Sequence, residues 1–344
     1  MAYKLTISQM DNAILKLVND GFKIYAPVKI KEQGRFSDTD LVKYASVLTF
    51  SEIETELKSS MSPKEVVFPP RETMFYFTEN DYKEPEVDTK PIIIFLRACD
   101  ANGILRLDKI FLENGTCQDP YYKRLRERIS FFLIECTNSY ETCFCVSSET
   151  NIFSDFSVGF KRDTKNVLLE VKDDKFKTYF ASGERIEYTP KFIMENKEKV
   201  KFPDPEKLEK IAFDKQIWSD YFSRCIACGR CNTSCVTCSC FSSFDIFYDE
   251  NEKCGERCRV WDGCHIDGFC TMAGGHDFRK GKDERMRFKT LHKIYDFKKR
   301  FGVNMCVGCG RCDDVCPEYI SFINCINMLY DITDLQNSNK ECDL

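Results

Sequence analysis

Histidine and tryptophan are scarce: three histidines and two tryptophans among 344 residues. His265, His276 and His292 are too scattered to read as metal ligands, and Trp218 and Trp261 read as packing. Long apolar runs are missing too. None approaches the roughly 18 residues a membrane span needs. The opening Met1-Ala-Tyr-Lys-Leu-Thr6 lacks the apolar core of a secretory leader, so a soluble, cytoplasmic chain is expected. There is no excess of positive charge. The net charge of −5 argues against nucleic acid and against an anionic membrane surface as partners. A G-x-G-x-x-G fingerprint, a P-loop and a serine or cysteine triad are all absent, so no recognisable nucleotide site is expected.

Cysteine is what the chain has in plenty. In a cytoplasmic chain, 21 cysteines read as metal ligands and not as disulfides. So many thiols point to an anaerobic cytoplasm. Two runs repeat the pattern C-x2-C-x2-C-x3-C: Cys225, Cys228, Cys231 and Cys235, then Cys306, Cys309, Cys312 and Cys316, the last followed by Pro317. This is the spacing of bacterial ferredoxins that hold two [4Fe–4S] clusters, in which the fourth cysteine of each run serves the other cluster. One cluster is therefore assigned to Cys225, Cys228, Cys231 and Cys316. The second is assigned to Cys306, Cys309, Cys312 and Cys235. Gly229, Gly308 and Gly310 fit the places where backbone N–H groups must approach sulfur. The first run has Val236 where a proline would match the second. Zinc prefers four ligands in paired C-x2-C knuckles, which a third regularly spaced cysteine does not fit. Disulfides within loops this tight would pair poorly.

Taken in order, residues 7–20 repeat apolar side chains at helical spacing and end at Gly21; 22–30 is extended. A short helix is expected over 51–60 and a strand over 66–68 between proline turns. Residues 91–100 and 130–136 read as buried strands, with a helix through Leu112 and a second helical segment around Tyr121 and Tyr122 between them. This is a βαβ unit with function placed at its strand ends. A hairpin is expected from 166–171 to 175–180, a linker at Pro203 and Pro205, and a helix over 206–222. A basic helix spans 283–300, an apolar helix 319–330, and the tail from Asp331 reads as frayed. The expected fold is α+β: an N-terminal mixed α/β domain over 1–203, then a mainly helical ferredoxin-like dicluster domain over 204–344 with a long insertion at about 241–300.

Four more cysteines, Cys99, Cys136, Cys143 and Cys145, follow two strand ends. Two readings stand on spacing alone: a third [4Fe–4S] site with an irregular motif, or four buried thiols. Cys117 stands apart from them. Cys238 and Cys240 read as packing on a cluster or as weak donors. Cys254, Cys258 and Cys270 read as plain thiols. Cys258-x5-Cys264 with Cys312-x3-Cys316 mimics the sirohaem-coupled pattern, but the ferredoxin run makes better use of Cys312 and Cys316. The basic stretch Arg279, Lys280, Lys282, Arg285, Arg287 and Lys289 either neutralises clusters, docks an acidic partner or forms a solvated helix face.

Four blocks together carry a family resemblance: Cys225–Cys231, Arg259-Val-Trp-Asp-Gly-Cys264, Met272-Ala-Gly-Gly-His-Asp-Phe-Arg279 and Cys306–Cys312. With Arg97–Asp100, Asp119–Tyr122 and Cys136 through Thr142-Cys-Phe-Cys145, they resemble the iron–sulfur electron-transfer subunit of the anaerobic sulfite reductase. They also resemble its cousins, the β subunits of cytosolic sulfhydrogenases. That resemblance implies a third cluster at Cys99, Cys136, Cys143 and Cys145. It also implies a non-catalytic electron-transfer subunit that binds neither flavin nor sirohaem itself. Electrons would pass from an NAD(P)H-oxidising flavin subunit to a sirohaem subunit that reduces sulfite to sulfide. The alternative is the β subunit of a cytosolic nickel–iron hydrogenase or sulfhydrogenase, the same wire to a different terminal enzyme.

Overall fold

The computed structural model describes residues 1–36 and 38–341, the side chains of 210 and 336–341 excepted. In chain order its strands are β1 (Ala2–Thr6), β2 (Lys23–Ile30), β3 (Leu41–Ser46), β4 (Arg71–Phe77), β5 (Tyr82–Lys83), β6 (Ile92–Leu96), β7 (Ile129–Ile134), β8 (Val158–Arg162), β9 (Asn166–Val171), β10 (Glu184–Ile186), β11 (Phe241–Phe247) and β12 (Gly255–Trp261). Its helices are α1 (Ile7–Asn19), α2 (Lys64–Val67), α3 (Ala98–Phe111), α4 (Pro120–Arg126), α5 (Pro205–Ile211), α6 (Lys215–Arg224), α7 (Arg230–Thr233), α8 (Lys282–Leu291), α9 (Phe297–Phe301), α10 (Arg311–Asp314) and α11 (Phe322–Glu341). They form two compact units.

The first unit comprises 1–69, 85–140 and 150–195. It is built on an eight-stranded sheet in the order β10-β1-β9-β8-β7-β6-β2-β3. The middle pairs β2–β6, β6–β7 and β7–β8 are parallel. Strand β6, and β7 apart from Ser130, read as apolar runs because both faces are covered; every residue of β6 is buried. Helices α3 and α4 make the expected crossover between them. Helix α1 begins at a capping box, in which the Thr6 side chain accepts from the Gln9 N–H and the Gln9 side chain accepts from the Thr6 N–H. It buries Met10, Ala13, Ile14 and Leu17. Several local expectations are corrected. Only Phe50–Glu52 forms a helical turn in the 51–60 region. The segment read as a strand at 66–68 is helix α2. Pro63 stands at its N-terminus with a compatible φ of −69°, and the burial of Val66 and Val67 overrides their β preference. β9 forms, but it pairs with β1 and β8 and has no hairpin partner at 175–180. There the Asp173 carboxylate accepts from the Lys175 N–H and starts a 3-10 helix, Asp174–Tyr179.

The second unit takes residues 70–84, 141–149 and 196–344 as its span. It thus recruits two segments that precede residue 203, so the chain is not divided at a single linker. It also holds a sheet that the sequence did not announce. A four-stranded sheet in the order β11-β12-β4-β5 accompanies its helices, and all of its pairings are antiparallel. The expected helix over 206–222 is two helices. The Asp214 side chain accepts from the Gln216 N–H and caps the second. The basic helix is continuous from α8 to α9 through a π-helical turn, His292–Asp296. The apolar helix begins later than expected, at Phe322, where the Asp313 carboxylate accepts the Phe322 N–H at 2.8 Å. It continues as α11 to Glu341, past the point read as frayed; residues 342–344 of that tail lie outside the described residues. Its core gathers Trp218, Met286, Ile294, Phe322, Ile326 and Leu329.

Candidate metal centre

Two loops of the second unit carry the cysteine runs, and their backbones match. Helix α6 ends where Cys225 turns extended, at φ −71° and ψ 128°. Ala227 and Gly229 then adopt left-handed conformations at φ +57° and +69°, and α7 leads to Cys235. In the second run Gly308 and Gly310 take φ +62° and +70° before α10 leads to Cys316. The left-handed turns point backbone N–H groups inward. The Ala227 N–H donates to the Cys225 sulfur at 3.4 Å, and the Ile320 N–H donates to the Cys316 sulfur at 3.3 Å. Such N–H···S contacts are the means by which a protein holds and tunes a thiolate-ligated cluster. The second loop is also held from its other side. The Phe144 N–H donates to the Gly308 carbonyl at 2.8 Å, and the Thr142 hydroxyl donates to the Gly310 carbonyl at 3.2 Å. A Cβ at Gly308 would lie 2.5 Å from the Phe144 carbonyl oxygen, so only glycine fits.

The fourth cysteine of each run crosses to the other loop. Cys225, Cys228, Cys231 and Cys316 line one cavity, together with Cys312, His265 and Lys289. Cys235 is tied to the other set: its sulfur is 3.3 Å from the Thr237 hydroxyl, which accepts from the Lys293 ammonium, and the Lys293 carbonyl accepts the Cys306 N–H at 3.2 Å. Among the described residues no three His, Cys, Asp or Glu side chains close in to single-ion distances. The Cys225, Cys228, Cys231 and Cys316 thiols line a shared space, as a polynuclear cluster requires.

The electrostatics of these thiols are uneven. Burial pushes Cys306 up to about 12 and raises Cys312 well above the ordinary thiol range, with Asp313 adding to the latter. Burial also raises Cys225. Cys235 is held well below the usual range by a hydrogen bond from Cys238, helped by Lys293 and Thr237. Metal loading at the raised thiols must therefore displace protons. Two lysines answer this demand. Burial opposes the charge of Lys289 and Lys293, but the sulfurs around them raise both, Cys231 and Cys312 beside the first and Cys235, Cys238 and Cys306 beside the second.

Other cysteines fall elsewhere. Asn232 is buried and donates to the sulfurs of Cys264, at 3.2 Å, and Cys238, at 3.8 Å. Burial pushes Cys264 up to about 11. Cys258 lies in β12 against Thr73 and is not among the residues lining the Cys316 cavity, so the sirohaem-type pairing finds no geometric support. Cys270 accepts from the Arg279 guanidinium at 3.2 Å. Of the third set, Cys99 and Cys136 belong to the first unit and Cys143 and Cys145 to the second. The Cys143 sulfur is 3.6 Å from the Cys309 carbonyl, and Cys145 meets Asn196.

Sequence reasoning missed His265 and Lys293. His265 is 3 % exposed, its Nδ1 lies 3.9 Å from the Cys225 sulfur, and burial with Lys289 and Arg285 nearby lowers it to about 3, so it stays neutral. The helical spacing of Lys289 and Lys293, one turn apart, was the available signal for the lysines.

Residues 224–320 match the 4Fe-4S dicluster domain family. Over 319 residues it is 29 % identical to sulfhydrogenase 2 subunit beta of Pyrococcus furiosus, a match covering 89 % of this chain and 91 % of that one. A 138-residue stretch is 32 % identical to apical membrane antigen 1 of Toxoplasma gondii, covering 38 % of this chain and 24 % of that protein. No solved structure matches the chain. Among the described residues no helix is long and apolar enough to cross a membrane.

Proposed function

We propose that this chain is the electron-transfer subunit of a sulfhydrogenase-type complex. The observation that carries the proposal is the crossing of the fourth cysteines: Cys316 lines the Cys225–Cys228–Cys231 cavity, and Cys235 lies beside Cys306. Clusters interlocked in this way are close neighbours, which suits relay better than mere support. The residues present fit the group: thiols around a space, left-handed turns that aim N–H groups at sulfur, and buried cations beside the ligands. When bound, the clusters would each accept and give one electron. The chain's own part is to hold them, to exclude water with Met286, Ile320 and Phe322, and to set their electrostatic surroundings. Similarity along nearly the whole length to a protein named sulfhydrogenase 2 subunit beta supports the choice of complex.

A second reading keeps the same wire but ends it at a sirohaem subunit. It rests on the Trp261–Cys264 and Met272–Arg279 blocks, which resemble the iron–sulfur subunit of the anaerobic sulfite reductase. Metal analysis of the complex purified through this chain separates the two: nickel supports the first, sirohaem the second. Cys228→Ser tests the relay itself. It should abolish NAD(P)H-coupled turnover while the terminal enzyme stays active with an artificial donor. Coupled turnover that survives with the cluster absent would refute the relay.

A further inference from the structure

The basic stretch from Arg279 onward is only partly a solvated face. Lys289 and Lys293 are 5 % and 4 % exposed. Lys289 stands on α8 and lines the Cys225–Cys228–Cys231–Cys316 cavity. Lys293 stands one turn on, inside the π-helical turn, and is tied twice to the second cysteine set. Its carbonyl accepts the N–H groups of Met305 and Cys306, at 2.9 and 3.2 Å. Its ammonium donates to the Thr237 hydroxyl at 2.6 Å, and that hydroxyl is 3.3 Å from the Cys235 sulfur. π-Helical turns of this kind are frequent at functional sites. A buried cation with no carboxylate in salt-bridge range has to be balanced by other negative charge. Among the described residues neither lysine has a salt bridge to a carboxylate.

We propose that Lys289 and Lys293 set the reduction potentials of the two clusters. Lys293 acts on the Cys306–Cys309–Cys312–Cys235 cluster alone, and Lys289 acts on both. The proposal rests on the two-cluster reading above. Reduction adds one electron, and so one negative charge, to a centre held by four thiolates; no bond forms or breaks and no proton moves. The electron comes from the redox partner or, in a titration, from dithionite through mediators. A fixed ammonium at short range in a poorly screened site favours the reduced state. Lys293 reaches ligands of the second cluster through Thr237 and the Cys306 N–H. Lys289 faces Cys231 of the first and Cys312 of the second. Asp313, at 3.4 Å from the Cys312 sulfur, opposes both lysines at the second cluster but is common to every variant below.

The experiment is an EPR-monitored redox titration of the full chain. Iron is counted first, and the second-cluster signal is assigned with Cys309→Ser. Lys293→Met keeps the backbone bonds to Met305 and Cys306 and removes the charge together with the donor to Thr237. With iron retained, the second cluster should become at least about tenfold harder to reduce, that is 59 mV for one electron. The first cluster should stay within about twofold. Lys289→Met should move both, and Lys293→Arg should restore the wild-type midpoint. If Lys293→Met loses iron, Lys293→Gln, which keeps a donor for Thr237, takes its place. An unmoved second midpoint with iron retained overturns the proposal, as does an equal shift of both midpoints by the Lys293 change. Absence of cluster iron from the wild-type chain would sink the two-cluster reading instead.

Discussion

Ala227 and Gly308 hold the same left-handed backbone conformation, at φ +57° and +62°, at equivalent places in two cysteine loops. Each stands between the first and second cysteine of its run, so the two loops are copies of one backbone device with different side chains. Glycine meets the requirement at no steric cost, whereas alanine is strained there by roughly 1–2 kcal/mol. Ala227→Gly should therefore stabilise the chain by about 0.5–1 kcal/mol, once the added freedom of the unfolded glycine is subtracted. Gly308→Ala should destabilise it by at least about 2 kcal/mol, since strain is joined by a clash with the Phe144 carbonyl. Anaerobic denaturant unfolding measures both, and a destabilised Ala227→Gly would show that the two loops are not equivalent.

The cysteine spacing made this device legible before any fold was known. So were the parallel strands β6 and β7, because Ile92–Leu96 is apolar throughout and Ile129–Ile134 is apolar but for Ser130, a pattern that suits burial on both faces. What stayed hidden depends on distant partners. Arg71–Phe77 pairs with Gly255–Trp261, and no local signal in either segment names the other. The same holds for Thr142 and Phe144, which support a loop more than 160 residues away. Lys293 illustrates a different failure. Lysine is charged and long, so a basic helix reads as solvated by default. Only the tertiary arrangement shows that this ammonium is buried against Thr237, beside the Cys235 sulfur.

The third cysteine set is open to a direct count. Clusters at both ferredoxin-type sets would account for about eight irons per chain, and a third at Cys99, Cys136, Cys143 and Cys145 would raise this to about twelve. In iron and sulfide analysis of the anaerobically purified chain, about twelve irons falling to about eight in Cys143→Ser/Cys145→Ser would establish a third cluster. A count near eight in both would confine the clusters to the two runs and leave these four as structural thiols.

In the antiparallel sheet, Arg259 is 1 % exposed and its guanidinium meets the Glu72 carboxylate at 2.7 and 2.8 Å, joining β12 to β4. Removing one charge of such a pair strands the other in a poorly solvated place. Glu72→Gln should cost about 3 kcal/mol. Replacing both at once, with Arg259→Met and Glu72→Leu, should cost markedly less. Denaturant midpoints of the single and double variants check this. Equal losses would mean that packing and not charge governs the position.

Acid should weaken the chain before its carboxylates titrate. Burial lowers His292 to about 4, with Lys293 adding to the effect and Cys235 opposing it. The sign follows from linkage. In the unfolded chain the imidazole takes up a proton below about 6.5, while in the folded chain it does so only near its depressed value. The folded state is therefore unaffected by this group above about pH 6.5 and loses stability as the pH falls toward 4. At pH 5 the loss from this residue should reach up to about 2 kcal/mol, since each unit of difference is worth about 1.4 kcal/mol. His292→Gln should remove that slope, leaving a flatter profile between pH 6.5 and 5. Anaerobic unfolding curves at those two pH values make the comparison. An unchanged slope in the variant would place the acid sensitivity in other groups.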